Sequence, residues 1–183
     1  MIQSLKKITN IFEKEKIRYC LIGGLAVSFY AEPRSTFDID ILALWPEPRE
    51  IFFDILERNS IKFNYTKSSL ADPVGDIIKA VIDNVSIDVI MARFPHEIDF
   101  VNNAIEVTTE EKEKFKIISL YDLIAQKLLA GGPKDLFDVA MLLKYNQKNI
   151  TLDSLKLHLQ KYKINLEPFL KFISIYEKDK GLF

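Results

Sequence analysis

Asp38 and Asp40 stand one residue apart in the apolar run from Phe37 to Leu44. Strand side chains alternate between faces, so two acids at this spacing point the same way and can share a divalent cation. Upstream, Gly23-Gly24 closes the apolar run from Tyr19 to Ile22 and opens a short helical stretch. Glycines at a strand-to-helix turn present backbone N–H groups to a phosphate without side-chain obstruction. Between the two features lie Arg34 and Thr36. Arg34 can counter phosphate charge or form a local ion pair, and Thr36 can bind phosphate or simply favour a strand.

A third carboxylate is needed to complete a two-metal cluster. Asp88 is the one charge in Val85 to Ile90, a stretch otherwise fit for burial, and a charge so placed is costly unless it is paired or binds metal. Asp76 and Asp83 are its rivals; Asp83 sits in a turn and Asp76 opens the preceding strand, which favours Asp88. Asp38, Asp40 and Asp88 could then hold two Mg²⁺ ions. Such a pair clamps the α-phosphate of a nucleoside triphosphate, lowers the pKa of an attacking hydroxyl and neutralises the departing pyrophosphate.

The elements that must position these groups are legible from periodicity. Ile2, Leu5, Ile8 and Phe12 fall at helical spacing. The strand Tyr19–Ile22, a helix over Leu25–Tyr30 stopped by Pro33, and the strand Phe37–Leu44 follow. Pro48 suits the first turn of a helix that turns Ile51, Phe52, Ile55 and Leu56 inward. A short strand is expected at Ile61–Tyr65, then a loop from Ser68 to Pro73. Asp76–Ile82 and Val85–Met91 flank Asp83-Asn84 and predict a hairpin, since both turn residues tolerate positive φ. A helix over His96–Ala104 and a strand over Phe115–Ile118 close the first part, with the charge run Thr108–Lys116 as the nearest thing to a boundary. From Ser119 onward the pattern is helical: Ser119 with Asp122 forms a capping signature, and Gly131-Gly132-Pro133 ends that helix. Further helices are expected over Lys134–Tyr145, Thr151–Tyr162 and about Leu166–Lys178. Lys127 falls among apolar neighbours and must snorkel or find an anion. Lys134 opens a helix, where a cation is unfavourable for the dipole. His96 and His158 have no metal-ligand spacing and read as structural or surface groups.

The 183 residues suit one compact domain, or a core with a helical appendage. Lys and Arg number 25 against 26 Asp and Glu, so no whole-protein field draws in nucleic acid or membrane. The balance is uneven, with 15 basic and 19 acidic residues through position 119 and 10 and 7 beyond it. The lone Cys20 lies in an apolar run, as expected of a small buried hydrophobe in a reducing compartment. No stretch reaches the roughly 20 apolar residues of a membrane span, and the N-terminus lacks a signal-like apolar run. A cytoplasmic protein without membrane partners is expected.

The ordered set Leu21-Ile22-Gly23-Gly24-Leu25-Ala26-Val27, Glu32-Pro33-Arg34-Ser35-Thr36-Phe37-Asp38-Ile39-Asp40 and Ile87-Asp88-Val89 resembles the nucleotidyltransferase superfamily that includes DNA polymerase β. Ser119 to Leu128 followed by Lys134-Asp135-Leu136-Phe137-Asp138-Val139 is similar to the small nucleotidyltransferases related to abortive-infection, type IV toxin-antitoxin toxins. The resemblance spans about residues 17 to 145. It implies an α/β (α+β) fold: a mixed β-sheet core flanked by helices over residues 1–118, and a helical C-terminal region, 119–183, packed on it. It implies Mg²⁺ in a two-metal site, a nucleoside triphosphate substrate such as ATP, and Asp38, Asp40 and Asp88 as ligands, the last also placed to activate the acceptor. It sets Gly23, Gly24, Arg34, Thr36, Lys127 and Lys134 near the nucleotide. Gly23-Gly24 replaces the frequent Gly-Ser, and Gly132-Pro133 stands where a basic residue is common. The acceptor is open: an RNA end such as the tRNA 3′ terminus follows from the toxin resemblance, with a protein hydroxyl or a small molecule such as an antibiotic as alternatives. A cognate antitoxin is an implied partner. The competing reading is a non-catalytic nucleotide-binding or antitoxin-like interaction module on the same fold.

Overall fold

The computed structural model describes residues 1–33, 36–69, 71–72, 74–109, 111–171 and 173. The chain forms two compact units, one of Met1–Ser28 and Arg34–Ser119 and the other of Phe29–Pro33 and the chain from Leu120 onward.

The first unit is built on a mixed seven-stranded sheet. Its strands are β1 (Tyr19–Leu21), β2 (Asp38–Ala43), β3 (Phe63–Thr66), β4 (Ile77–Ile82), β5 (Val85–Met91), β6 (Ile105–Thr108) and β7 (Lys114–Ile117), in the order β3-β4-β5-β2-β1-β7-β6. β2 runs parallel to β5 and antiparallel to β1, while β1 runs parallel to β7. This is the α/β architecture expected from the sequence. One face carries the core: Ile39 and Ile41 of β2, Ile78 and Ala80 of β4, and Ile87 and Val89 of β5 are all buried. Helix α1 (Ile2–Lys14) turns Leu5, Ile8 and Phe12 inward, and α3 (Glu50–Arg58) turns Phe52, Ile55 and Leu56 inward. Phe12 meets Tyr19 edge-on at 5.5 Å and Phe52 at 5.8 Å, and Trp45 stacks at a tilt on Phe52 at 4.9 Å. Ring packing of this kind adds to the area term and ties α1, β1 and α3 together.

The hairpin of β4 and β5 turns at Asp83 (φ 50°) and Asn84 (φ 62°), both in the left-handed conformation that two-residue hairpin turns require. One strand was not expected. β6 pairs antiparallel with β7 across the charged stretch Thr108–Lys116, which therefore lies inside the first unit and marks no boundary. Ile105–Thr108 is an edge strand with no fully buried residue, so it lacks the alternation that reveals a strand in sequence.

Asp76, a rival for the third ligand position, is committed elsewhere. Its buried carboxylate accepts hydrogen bonds from Arg49 (2.5 Å), the Tyr65 hydroxyl, and the Ser68 amide (2.9 Å) and hydroxyl (2.8 Å). Burial pushes this carboxyl up, but the Tyr65 and Ser68 hydrogen bonds and the Arg49 charge outweigh it and hold it below the usual range. A depressed carboxyl stabilises the fold above its unfolded pKa of about 3.9, and that stability is lost as pH falls through the folded value. Asp76→Asn is therefore expected to cost about 2 kcal/mol at pH 7, the worth of hydrogen bonds to a charged group. Urea unfolding of variant and wild type at pH 7 and near pH 3 checks this: the gap should narrow in acid.

Helix α4 (Pro95–Asn102) follows β5 in the first unit; in the second, α5 (Leu120–Ala130), α6 (Pro133–Tyr145) and α7 (Leu152–Gln160) are the principal helices, and residues 167–171 begin another. The expected last helix extends past them to Lys178, outside the described residues. Pro133 occupies the first turn of α6, and Thr151 caps α7 by accepting the Ser154 amide. Asp122 is buried, and its Oδ1 takes hydrogen bonds from His158 Nε2 (2.7 Å) and the Tyr162 hydroxyl (3.0 Å). His158 is thus a packing partner for a buried acid. Among the described residues no helix is long and apolar enough to cross a membrane.

Candidate active site

Helix α2 (Gly23–Tyr30) starts at the glycine pair itself, two residues earlier than the apolar spacing suggests. Its first bond runs from the Ala26 amide to the Ile22 carbonyl at 3.5 Å, so the amides of Gly23, Gly24 and Leu25 precede the intrahelical ladder. Such amides favour an anion. Gly23 has φ +63°, and a Cβ there would lie 2.8 Å from Asp40 Cγ and 2.9 Å from its Cβ. The glycine is therefore required twice over, by the turn and by the close approach of Asp40. Gly23→Ala is expected to cost about 1–2 kcal/mol for the left-handed backbone. Because the Asp40 carboxylate must also shift, any activity that depends on Asp40 should fall further, about 100-fold, as expected when a group in an active site is displaced by about 1 Å. Unfolding curves and initial rates on the same variant separate the two effects.

The sheet register fixes the remaining groups. Asp40 pairs with Asp88 across the parallel β2–β5 ladder, and Asp88 pairs with Lys79 across the β4–β5 hairpin. Lys79 in turn faces Asn64 on β3. Residues in register across neighbouring strands share a face, and Ile39, Ile87 and Ala80 beside them occupy the core face. Asn64, Lys79, Asp88 and Asp40 therefore form one cross-strand row on the face away from the core, ending beside Gly23. Asp38 lies one row along, opposite Ser86, and is exposed.

Asp38 and Asp88 are each held by a different neighbour. Thr36 Oγ1 donates to Asp38 Oδ1 at 3.1 Å and to the Asp38 carbonyl at 3.2 Å. Asp88 Oδ2 pairs with Lys79 Nζ at 3.0 Å. Among the described residues no three acidic, imidazole or thiol groups converge closely enough to form a ready metal site. Like-charged carboxylates on adjacent strands repel, and Lys79 supplies Asp88 with a cation. The donor set is nonetheless all carboxylate oxygen on a shared face, the chemistry that suits Mg²⁺.

The first unit thus contains Gly23, Gly24, Thr36, Asp38, Asp40 and Asp88. Arg34 lies outside the described residues. Lys127 and Lys134 belong to the second unit, Lys134 exposed in the first turn of α6. Lys127 is buried and pairs with Asp135 (2.8 Å) and Asp138 (3.0 Å), so it has found anions on α6. Lys79 was not singled out in the sequence, although a two-residue turn at Asp83-Asn84 places it opposite Asp88.

A sequence-family model described as "Nucleotidyltransferase of unknown function (DUF6036)" matches residues 1–167. No curated protein matches the chain. Among solved structures, the antibiotic-resistance factor ANT(2'')-Ia is similar with a TM-score of 0.56 at 13% identity, over 98% of this chain and 97% of that one. The lincosamide antibiotic adenylyltransferase LnuA gives 0.50 at 19% identity, over 82% and 98%. An antigenic nucleotidyltransferase-like protein of Paracoccidioides brasiliensis gives 0.50 at 17% identity, over 92% and 89%. At these identities the likeness establishes a shared fold.

Proposed function

The chain belongs to the DUF6036 family of nucleotidyltransferases, and from that premise we propose that it moves a nucleoside monophosphate from a nucleoside triphosphate onto an acceptor hydroxyl at the Asp38–Asp40–Asp88 face. The observation that carries this reading is the register: Asp40 lies directly opposite Asp88 on parallel strands, with Gly23 against Asp40 at the start of a helix. The amides of Gly23, Gly24 and Leu25 bind the triphosphate tail, and Arg34 is a further nucleotide contact that the family resemblance suggests. Asp38, Asp40 and Asp88 would hold Mg²⁺, which when bound neutralises charge on the transferring and leaving phosphates. Thr36, which donates to Asp38 Oδ1, steadies that carboxylate. Asp88, at the acceptor end of the row, orients the attacking hydroxyl and takes its proton. The new bond joins the acceptor oxygen to the α-phosphorus, and pyrophosphate leaves on the side of the glycine turn. A cytoplasmic setting supplies the triphosphate and the reducing conditions that suit Cys20.

A non-catalytic module on this fold has less in its favour, because it gives no physical reason for three carboxylates on one strand face, two of them half-buried. Calorimetry separates the readings. The enzyme requires divalent-ion-dependent triphosphate binding and pyrophosphate release with an acceptor. Metal-independent binding without release would support the module, and capture of a co-expressed neighbour would identify an antitoxin-like role.

A further inference from the structure

Strand β6 forms one edge of the sheet and, among the described residues, pairs with β7 alone. Residues of an antiparallel strand turn their N–H and C=O groups alternately towards the neighbouring strand and away from it. The Thr109 amide donates to the Glu113 carbonyl at 2.9 Å, which sets Thr109, and by alternation Val107 and Ile105, towards β7. The Ile118 amide agrees, since it donates away from β6, to Leu21 on β1, at 3.0 Å. The N–H and C=O groups of Glu106 and Thr108 therefore point out over the open edge. Ile105 and Val107 lie on the core side, opposite the buried Ile117 and Phe115. Ile105 is nonetheless 42% exposed and Val107 only half-buried, so the core side ends here without full cover. Open edges are usually blunted by lysine, proline or a bulge. Lys62 and Lys67 flank β3 at the other edge, whereas Ile105 to Thr109 contains neither lysine nor proline. Glu106 is its one charge, and Lys114 pairs with it at 2.6 Å.

We propose that β6 pairs antiparallel with β6 of a second copy of this chain, about a twofold axis through Val107, joining the two sheets into one. Self-pairing demands that facing residues share a side of the sheet and that outward-pointing backbone groups meet. An axis through Val107 meets both demands. Glu106 of each copy exchanges two backbone hydrogen bonds with Thr108 of the other, Val107 packs on Val107, and Ile105 faces the second copy's Thr109. An axis through Glu106 would set two carboxylates against each other, and one through Ile105 or Thr108 would carry the pairing past the end of the four-residue strand. Charge selects a second copy as the occupant. On the solvent side the joined row reads Lys116 and Glu106, then Thr108 and Lys114 of the second copy, with no like charges adjacent. The contact is short, so association should be weak and concentration-dependent. Since β1 and β7 separate β6 from β2, both acid rows stay open in the dimer, and the pairing is independent of the transferase reading.

The test combines sedimentation velocity of the full chain over a concentration series with oxidative cross-linking, and thermal melts show that each variant is folded. Thr108→Pro removes an outward N–H and no bond to β7, a substitution an edge strand tolerates, and should raise the dimer Kd about tenfold or more through the two hydrogen bonds lost per dimer. Thr108→Glu sets a carboxylate against the second copy's Glu106 and should weaken the dimer as well, whereas Thr108→Lys, facing the same Glu106, should keep it. Val107→Cys places two thiols at a non-hydrogen-bonded pair, with Cα atoms about 4.5 Å apart and within disulfide reach, so it should cross-link to itself under mild oxidation. Ile105→Cys, about 14 Å from its mate by strand rise, should not; Cys20 is buried and does not compete. The inference is overturned if wild type stays monomeric and Val107→Cys fails to cross-link, if the dimer ignores both Thr108→Pro and Thr108→Glu, or if Ile105→Cys cross-links as readily as Val107→Cys.

Discussion

Asp40→Asn lowers nucleotidyl transfer at least about 1000-fold while leaving the fold intact, if the row of carboxylates is the reacting centre. Asp40 is the member with neighbours on both sides, Asp88 in register across the ladder and Gly23 against its carboxylate. Asparagine keeps the shape that packs on Gly23 but removes the charge that would hold a divalent ion. Charge stabilisation by bound metal is worth several kcal/mol in the transition state, and about 4 kcal/mol corresponds to a factor near 1000. Stability should move the other way. In the absence of divalent ions the variant loses one of two like charges set directly opposite each other, so it should melt at the same temperature or slightly higher. Pyrophosphate release and a thermal melt on the same preparation check both halves. Loss of activity together with a collapsed melt would mean that Asp40 is a packing residue.

Lys127→Met destabilises the helical unit by about 3–5 kcal/mol. Lys127 is buried on α5 and its ammonium is shared by Asp135 and Asp138 of α6, with the Asp138 side chain only 2% exposed. Methionine matches the stem and removes the charge, so the buried Asp138 carboxylate loses this ion pair, and breaking a buried pair by removing one member is costly. Lys127→Met combined with Asp138→Asn should recover part of the loss, since the two changes act on one interaction. Urea unfolding of the two single variants and the double variant measures this coupling. The family resemblance sets Lys127 near the nucleotide, and the same variant discriminates: a nucleotide contact raises KM at unchanged stability, whereas an interhelical clamp shows itself in the unfolding curve.

The placement of the candidate site's acids on one face was legible because strand chemistry is periodic. The two-residue spacing of Asp38 and Asp40 and the lone charge of Asp88 predicted a shared face, and the register bears this out for Asp40 and Asp88. The hairpin followed from Asp83-Asn84, whose positive φ values are those the turn demands. That turn also fixes its partner strand's register, with Ile82 opposite Val85 and hence Lys79 opposite Asp88. Lys79 was therefore implicit in the sequence, but an exposed lysine in a strand carries no sign of its own until its cross-strand neighbour is considered. The contact of Gly23 with Asp40 was not legible. It depends on how the β1–α2 turn folds over β2, a tertiary fact that the spacing of the two motifs does not encode. β6 stayed hidden for a different reason, since an exposed edge strand buries too little to leave a pattern.

The central claim is tested most directly by incubating the purified protein and Mg²⁺ with each α-³²P-labelled nucleoside triphosphate, using total cellular RNA, lysate protein or small-molecule fractions as acceptor. The expected result is label covalently attached to one acceptor class, with stoichiometric pyrophosphate release, abolished by EDTA and by Asp38→Asn or Asp40→Asn. Labelling of no acceptor by a protein that still binds triphosphate without Mg²⁺, or full transfer by either aspartate variant, contradicts it.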